Sequence, residues 1–210
     1  MIRIIDYKAG NAPSVMHAVK KLCFTAEYAR KPADLADATH IILPGVGSAK
    51  ATMESLGEMG MLSALEEEVL QKKKPFLGIC VGLQILFEHS EEDDYKCLGW
   101  LKGRVVKFDT AQVRVPQMGW NQACFEKTPI THQGGKDYYY FVNSYHAVPS
   151  DKSDIWAVAE YGGDFVAAVN RGNIYATQFH VEKSGEAGIS LINRFILSNV
   201  SNVQKESVSC

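Results

Sequence analysis

Short apolar runs recur along the first half of the chain. They occupy Ile2–Ile5, Thr39–Leu43 and Phe76–Ile79, and a turn that contains glycine follows each of them. Largely apolar runs of this length, bounded by turn signals, are typical of strands that are buried on both faces of a sheet. We therefore predict three core strands, each of which ends in a loop.

Segments with helical periodicity lie between and after these runs. Pro13 is placed to open a helix that extends to about Leu22, and apolar side chains recur at helical spacing over residues 62–70. A third helix is predicted after Cys80, extending through Phe87. The order strand, helix, strand, helix predicts a parallel sheet with helices on both faces, and therefore an α/β fold.

Strand-like runs dominate the chain after residue 95. A helix is predicted only near the end, from about Ser184 to Leu197, and Asn170–Asn173 has the composition of a hairpin turn. We predict a single domain over residues 1–200, in which a central, mostly parallel sheet is flanked by helices and extended by antiparallel strands, with a frayed tail over 201–210. The predicted later strands are Arg104–Phe108, Gln122–Phe125, Tyr138–Val142, Ile155–Glu160, Phe165–Val169 and Ile174–Phe179.

Composition narrows the class of function. Of the 210 residues, 46% are hydrophobic and the net charge is −2, so the basic surplus of proteins that bind nucleic acid or anionic membranes is absent and a small-molecule substrate is expected. No segment reaches the roughly 20 apolar residues of a membrane span, and the charged amino terminus does not fit a signal peptide. Five scattered cysteines without a CxxC pair favour a reducing cytoplasm over a disulfide framework.

One cysteine has a distinctive setting. Gly78-Ile79-Cys80-Val81-Gly82 follows a predicted strand and precedes a helix, which is the arrangement of a nucleophile elbow with cysteine in place of serine. Glycines on both sides avoid the clashes that a Cβ atom would make in so tight a turn, and the positive end of a helix dipole favours the thiolate. The alternative for Cys80 is a buried structural cysteine. The other four cysteines have no such setting, and we interpret them as packing or surface residues: Cys23, Cys97, Cys124 and Cys210.

His180 and Glu182 supply a candidate base and an acid to orient it. If the last predicted strand continues through both residues, their side chains share one face, about 6.5–7 Å apart, and the carboxylate can hold one imidazole nitrogen while the other accepts a proton from a thiol. A zinc site is the rival interpretation of Cys, His and Glu together. Zinc requires three or four ligands with paired spacings, and no second close pair occurs among the six histidines, so we predict no metal.

The loop Pro44–Gly47 follows the second core strand and should reach the same edge of the sheet as Cys80. Its backbone N–H groups, together with the amide of Val81, could form an oxyanion hole, although this pattern alone favours an ordinary glycine turn. The loop matches neither a dinucleotide fingerprint nor a phosphate-binding loop.

Two motifs resemble the class I glutamine amidotransferase family: Gly-Ile-Cys-Val-Gly-Leu-Gln at 78–84 and Gln-Phe-His-Val-Glu-Lys-Ser at 178–184. Four further segments are similar to motifs of one subfamily, the glutaminase subunits of imidazole glycerol phosphate synthase, which is an enzyme of histidine biosynthesis. They are Ile-Asp-Tyr-Lys-Ala-Gly-Asn (5–11), Leu-Pro-Gly-Val-Gly (43–47), Met-Gly-Trp-Asn (118–121) and Tyr-Phe-Val-Asn-Ser-Tyr (140–145). The matches occur in order from residue 2 to about 197.

The resemblance implies a mechanism without a cofactor, in which Cys80 attacks the side-chain amide of glutamine, with His180 and Glu182 completing the triad. It also implies an oxyanion hole at Gly47 and Val81, and a contact with a (β/α)₈-barrel cyclase subunit that receives the ammonia. The glutamine-binding residues it implies are Gln84, Glu92, Ser144 and Tyr145. The partner-contact residues it implies are Asn11, Met118, Trp120 and Lys183.

Three residues depart from the subfamily pattern: Gln117 and Asn143 stand where histidine is usual or frequent, and Val181 replaces a proline between the catalytic His and Glu. None of them belongs to the triad. Three alternatives remain open at this point. The chain could supply ammonia to another synthase, such as one that amidates sugars, act alone as a γ-glutamyl cysteine hydrolase, or be a non-catalytic subunit.

Overall fold

The computed structural model describes residues 1–8, 10–126 and 135–198. The predicted tail over 201–210 lies outside the described residues. The described strands belong to one mixed sheet of 13 strands. This confirms the predicted α/β class, in which a parallel centre is flanked by helices and extended by antiparallel strands.

Five parallel strands form the centre of the sheet, in the order β2 (Ala26–Ala29), β1 (Ile2–Ile5), β3 (His40–Gly45), β4 (Phe76–Cys80) and β13 (Ile174–Thr177). Every residue of β3, β4 and β13 is buried, which explains why they appear in the sequence as continuous apolar runs. The short β2 was not predicted because its Ala-Glu-Tyr-Ala has no distinctive pattern. The carboxyl ends of β3 and β4 lie side by side, with Gly45 paired to Cys80.

Helices cover this centre in two groups: α1 contacts α5, while α2 contacts α3 and α4. The α1 helix matches its prediction closely, whereas α2 was missed and α4 ends at Gln84 rather than at Phe87. The helical pattern over 62–70 spans α3 and a π-helical turn, Glu66–Gln71. The helices are α1 (Ala12–Lys21), α2 (Ala49–Glu58), α3 (Met61–Leu65), α4 (Val81–Gln84) and α5 (Gly185–Ser198).

A largely antiparallel extension completes the sheet, and within it β5 (His89–Ser90) pairs with β7 (Gly103–Lys107) in parallel. The predicted hairpin turn joins its strand β12 to β13, with Arg171 paired to Ile174. Strands β5, β6 and β10 were not predicted, because the first two are only two residues long and the third carries a proline. The extension comprises β5 (His89–Ser90), β6 (Tyr95–Lys96), β7 (Gly103–Lys107), β8 (Gln117–Phe125), β9 (Lys136–Asn143), β10 (Tyr145–Pro149), β11 (Ile155–Glu160) and β12 (Asp164–Arg171).

A buried histidine lies at the start of β3, at the end of the sheet away from Cys80. His40 is 5% exposed, and its ring meets Phe195 of α5 edge to face, with centroids 5.4 Å apart. Burial, reinforced by the positive amino terminus, lowers the pKa of His40 to about 4. Between these two pKa values, about 4 in the native state and 6.5 in the unfolded chain, the ring is neutral when the protein is folded and protonated when it is unfolded.

We expect the isolated chain to lose stability as the pH falls below about 6.5, because His40 then binds a proton in the unfolded state but stays neutral in the folded state. At pH 5 the cost from His40 is about 2 kcal/mol. Urea unfolding at pH 7.5 and pH 5 should show a loss larger by this amount in the wild type than in His40→Gln. Equal losses in the two proteins would contradict the assignment.

Candidate active site

Cys80 lies at a strained turn at the end of β4. Its backbone has φ 56° and ψ −106°, in a region that residues other than glycine rarely adopt and that costs on the order of 1–3 kcal/mol. The α4 helix begins at the next residue, so the strand-to-helix turn is the one that the glycine spacing predicts. The side chain is 5% exposed and lines a cavity rather than projecting into open solvent.

Glycines make this turn sterically possible. A Cβ atom on Gly78 would lie 2.4 Å from the carbonyl oxygen of Gly82, and one on Gly82 would lie 2.4 Å from the carbonyl oxygen of Leu43. A Cβ atom on Gly45 would lie 2.6 Å from the amide nitrogen of Gly82. Backbone cannot move away as a flexible side chain can. Each of these three positions therefore requires glycine for β3, β4 and α4 to approach so closely.

His180 and Glu182 meet on a 3₁₀ turn, Val181–Lys183, and not on the strand that the sequence predicted, since β13 ends at Thr177. The chain turns here because the amide of His180 donates to the carbonyl oxygen of Tyr140 on β9, while the Ser184 hydroxyl donates to the carbonyl oxygen of His180. The turn still joins the two side chains, with Nδ1 of His180 2.9 Å from Oε1 of Glu182.

The imidazole of His180 interacts with both Cys80 and Glu182. The side chain of His180 is 4% exposed and that of Glu182 is 1% exposed. Burial acts to lower the pKa of His180, but the hydrogen bonds and negative charges of Cys80 and Glu182 outweigh it and raise the pKa to about 10. Burial likewise acts to raise the pKa of Glu182, and the contact with His180 lowers it overall. This arrangement favours the imidazolium form of His180 beside the Glu182 carboxylate.

Asn11 supports the carboxylate. Its side-chain Nδ2 donates to Oε1 of Glu182 at 2.9 Å, the same oxygen that contacts His180. The sequence resemblance placed Asn11 at the partner contact, and this second contact was missed. No local pattern could have revealed it, because the two residues are 171 positions apart.

A cavity of about 240 Å³ opens over Cys80. Its volume is below the usual range for drug-sized ligands, which suits a small substrate such as an amino acid. Glu92 receives an N–H from the backbone of Ala49 at 3.2 Å, and burial raises the pKa of Glu92. The walls include every residue that the resemblance implied for the oxyanion hole and the glutamine site: Gly47, Val81, Gln84, Glu92, Ser144 and Tyr145.

Pro116, Val142 and Asn143 also line this cavity, which the sequence did not predict. Asn143 pairs with Gln117 across β8 and β9, and both side chains are buried. Asn143 donates to the backbone oxygen of Tyr145 at 3.0 Å. Two of the three departures from the subfamily pattern thus lie beside the site, while the third, Val181, is fully buried at the start of the 3₁₀ turn.

The β8–β9 ribbon also presents an exposed apolar patch, which we define as Met118, Trp120 and Tyr138. These side chains are 66%, 57% and 57% exposed. Trp120 packs edge to face on Tyr140, with centroids 6.0 Å apart, and Lys183 is exposed on the same 3₁₀ turn as Glu182. Large apolar side chains grouped in this way mark an interaction surface.

Within the described ranges, no group of three or more His, Cys, Asp or Glu side chains is arranged to hold a metal ion. The helices described there include none that is long and apolar enough to cross a membrane. The absence of a cofactor remains a prediction.

A family model described as glutamine amidotransferase class-I matches residues 3–199. The chain belongs to the class I glutamine amidotransferase family. A relative from Leptospira borgpetersenii, named imidazole glycerol phosphate synthase subunit HisH, is 42% identical over 93% of this chain and 98% of its own length. An Arabidopsis thaliana relative named imidazole glycerol phosphate synthase hisHF, chloroplastic, is 40% identical over 98% of this chain, which spans only 35% of that protein.

A solved structure described as a glutamine amidotransferase has a TM-score of 0.75 to this amidotransferase chain at 18% identity, covering 94% of this chain and 98% of that one. At this identity the likeness supports the shared fold alone. It agrees with the mixed sheet and its flanking helices.

We expect Cys80→Ala to lower the pKa of His180 from about 10, because the raising influence of the Cys80 side chain is lost while burial persists. The fall should be roughly one unit or more. An NMR titration of ¹⁵N-labelled histidine rings would measure it, with Cys97→Ala as a matched control for loss of a buried thiol elsewhere. An unchanged pKa would contradict the contact between Cys80 and His180.

Proposed function

We propose that the chain is the glutaminase subunit of imidazole glycerol phosphate synthase, a cytoplasmic enzyme of histidine biosynthesis. It hydrolyses glutamine to glutamate and ammonia and passes the ammonia to a (β/α)₈-barrel cyclase subunit. The observation that carries the proposal is the convergence of Cys80, His180 and Glu182 beneath an amino-acid-sized cavity in a chain of this family. Relatives named as HisH subunits match it over nearly their whole length.

The first half of the reaction uses the ion pair. The Cys80 sulfur attacks the carboxamide carbon of glutamine, and the C–O electrons move onto the oxygen. Collapse of this intermediate expels the nitrogen, which takes a proton from the His180 imidazolium and leaves as ammonia. A glutamyl thioester on Cys80 remains.

The second half returns the enzyme to its starting state. Neutral His180 removes a proton from water, and the oxygen attacks the thioester carbon. Collapse then expels the sulfur as thiolate beside the newly formed imidazolium, and glutamate leaves. Glu182 stabilises the imidazolium in both halves and fixes the ring, since its Oε1 is itself held by Asn11.

The cavity walls have the donors and acceptors that this chemistry needs. The N–H groups of Gly47 and Val81 stabilise the oxyanion, and a donor of this kind contributes on the order of 3 kcal/mol to the transition state. The Glu92 carboxylate pairs with the substrate's α-ammonium, and Gln84, Ser144 and Tyr145 complete the amino-acid site.

The exposed patch and Lys183 form the docking surface for the cyclase. The patch lies on the ribbon whose other end lines the cavity, so a partner that covers it lies directly beside the site of ammonia release. The relative named hisHF is almost three times as long as this chain, which is consistent with a fused partner. As the resemblance to this subfamily implies, glutaminase activity is low until the cyclase binds, so the docking surface and the active site are coupled.

A different acceptor, such as a sugar in a surface-glycan pathway, receives no support from these names. The two remaining alternatives are distinguished by assay. A stand-alone γ-glutamyl hydrolase would turn over without a partner, and a non-catalytic subunit would not react at Cys80.

The first test is glutamate release by the purified chain with a cognate cyclase and its nucleotide substrate. We expect release that depends on both additions and that falls by roughly a thousandfold or more in Cys80→Ala, because the nucleophile is lost. Cys97→Ala should retain activity. Full activity without the cyclase would instead support the stand-alone hydrolase, and no release under any condition would refute the proposal.

The second test concerns docking. Replacing Trp120 with alanine should raise the Kd for the cyclase about tenfold or more, because exposed aromatic side chains dominate interface energies. Titration calorimetry would measure it. Leu197→Ala is the matched control, since Leu197 is also 50% exposed but lies at the opposite end of α5 from the triad. Equal Kd values for both variants and the wild type would exclude the patch as the interface.

A further inference from the structure

Gln178 lies two residues before His180, in the loop that follows β13. Its side chain is fully buried. The amide nitrogen Nε2 donates to Sγ of Cys80 at 3.7 Å, within hydrogen-bonding distance for sulfur. The nucleophile therefore contacts a second polar side chain besides the imidazole.

A neighbouring amide fixes the orientation of this side chain. The two ends of a glutamine amide look alike, so its direction must be inferred from its partners. Oε1 of Gln178 accepts a hydrogen bond from Nε2 of Gln84 at 3.1 Å, which forces the NH₂ group of Gln178 toward the sulfur. Gln84 is fixed in turn, because the same Nε2 also donates to the backbone oxygen of Tyr145 at 3.3 Å.

The result is a buried relay of amides from the substrate cavity to the sulfur. Gln84 and Tyr145 line the cavity, and Gln178 connects them to Cys80. Since buried polar groups without partners are costly, replacing any member leaves another member unsatisfied. The relay thus holds the sulfur at a fixed place relative to the glutamine-binding wall.

The geometry points to Gln178 as a fourth catalytic residue, which donates an N–H to the Cys80 sulfur and stabilises it whenever it carries negative charge. A donor to an ionised acceptor is stronger than one to a neutral acceptor, so the contact favours the thiolate over the thiol and over the thioester. Its contribution to turnover rests on the proposed glutaminase function. In the second half of that reaction the contact assists departure of the sulfur as thiolate, when the thioester C–S bond breaks.

The experiment measures alkylation of Cys80 by iodoacetamide in the full chain across a range of pH, with the modified peptide quantified by mass spectrometry. Gln178→Glu is the informative variant, because it keeps the acceptor for Gln84 while placing an oxygen in place of the donor at the sulfur. Gln178→Met removes both bonds at similar volume. The titratable groups that interact with the sulfur, His180 and Tyr7, are unchanged in both variants.

We expect the alkylation rate at pH 7 to fall about tenfold in Gln178→Met and further in Gln178→Glu, with the profile shifted to higher pH. Thr177→Val is the matched control. It removes a buried hydroxyl that donates to the backbone oxygen of Phe179 at 2.9 Å and is not a contact of the sulfur. Its profile should follow the wild type, and thermal unfolding of each variant confirms that the compared proteins are folded.

Rates within twofold of the wild type in both Gln178 variants would overturn the inference, as would an equal fall in Thr177→Val. A glutamate-release assay with the cyclase then separates the two proposals. The inference predicts that Gln178→Glu lowers kcat about tenfold with KM nearly unchanged, since Gln84 keeps its partner. Failure of wild-type glutamate release alongside the expected alkylation pattern would refute the glutaminase function and leave the donor role standing.

Discussion

The buried interaction of His180 with Cys80 on one side and Glu182 on the other is the constraint on which the rest of the molecule depends. Three ionisable groups are held out of water, and such groups are tolerated only when they are paired and hydrogen-bonded. The sheet places them together because β4 and β13 are adjacent and parallel, with Ile79 paired to Thr177, so that Cys80 and His180 lie at the same edge of the sheet. This proximity requires a strained backbone at Cys80 and flexible glycines around it, and both lower the stability of the turn.

The antiparallel extension connects chemistry to assembly. Val142 on β9 lines the cavity, with its carbonyl oxygen 3.8 Å from the sulfur, and Tyr140 two residues earlier supports the exposed Trp120. The backbone oxygen of the same Tyr140 accepts a hydrogen bond from the amide of His180, which fixes the start of the 3₁₀ turn that contains Glu182. A partner that binds the patch would therefore contact the strand that supports both His180 and the cavity wall. This is a physical route by which docking can alter the site.

The sequence was informative wherever a short-range constraint shaped it. The core strands and the elbow at Cys80 were predicted because buried strands have continuous apolar runs and because the turn admits only glycine on both sides. The sequence also suggested His180 and Glu182 as partners, but it placed them on a strand, since a pattern of single residues cannot reveal a turn imposed by a bond to a distant strand. The amide contacts of Asn11 with Glu182 and of Gln178 with Cys80 join residues 171 and 98 positions apart, and no local pattern carries them.

The most direct test of the account is a crystal structure of the chain after reaction with an electrophilic glutamine analogue. The account predicts a covalent bond to Sγ of Cys80, with the amino-acid end of the analogue against Glu92 and Gln84 and the His180 ring within hydrogen-bonding distance of the sulfur. Reaction at another cysteine, or a sulfur whose contact with His180 is absent in the adduct, would contradict it.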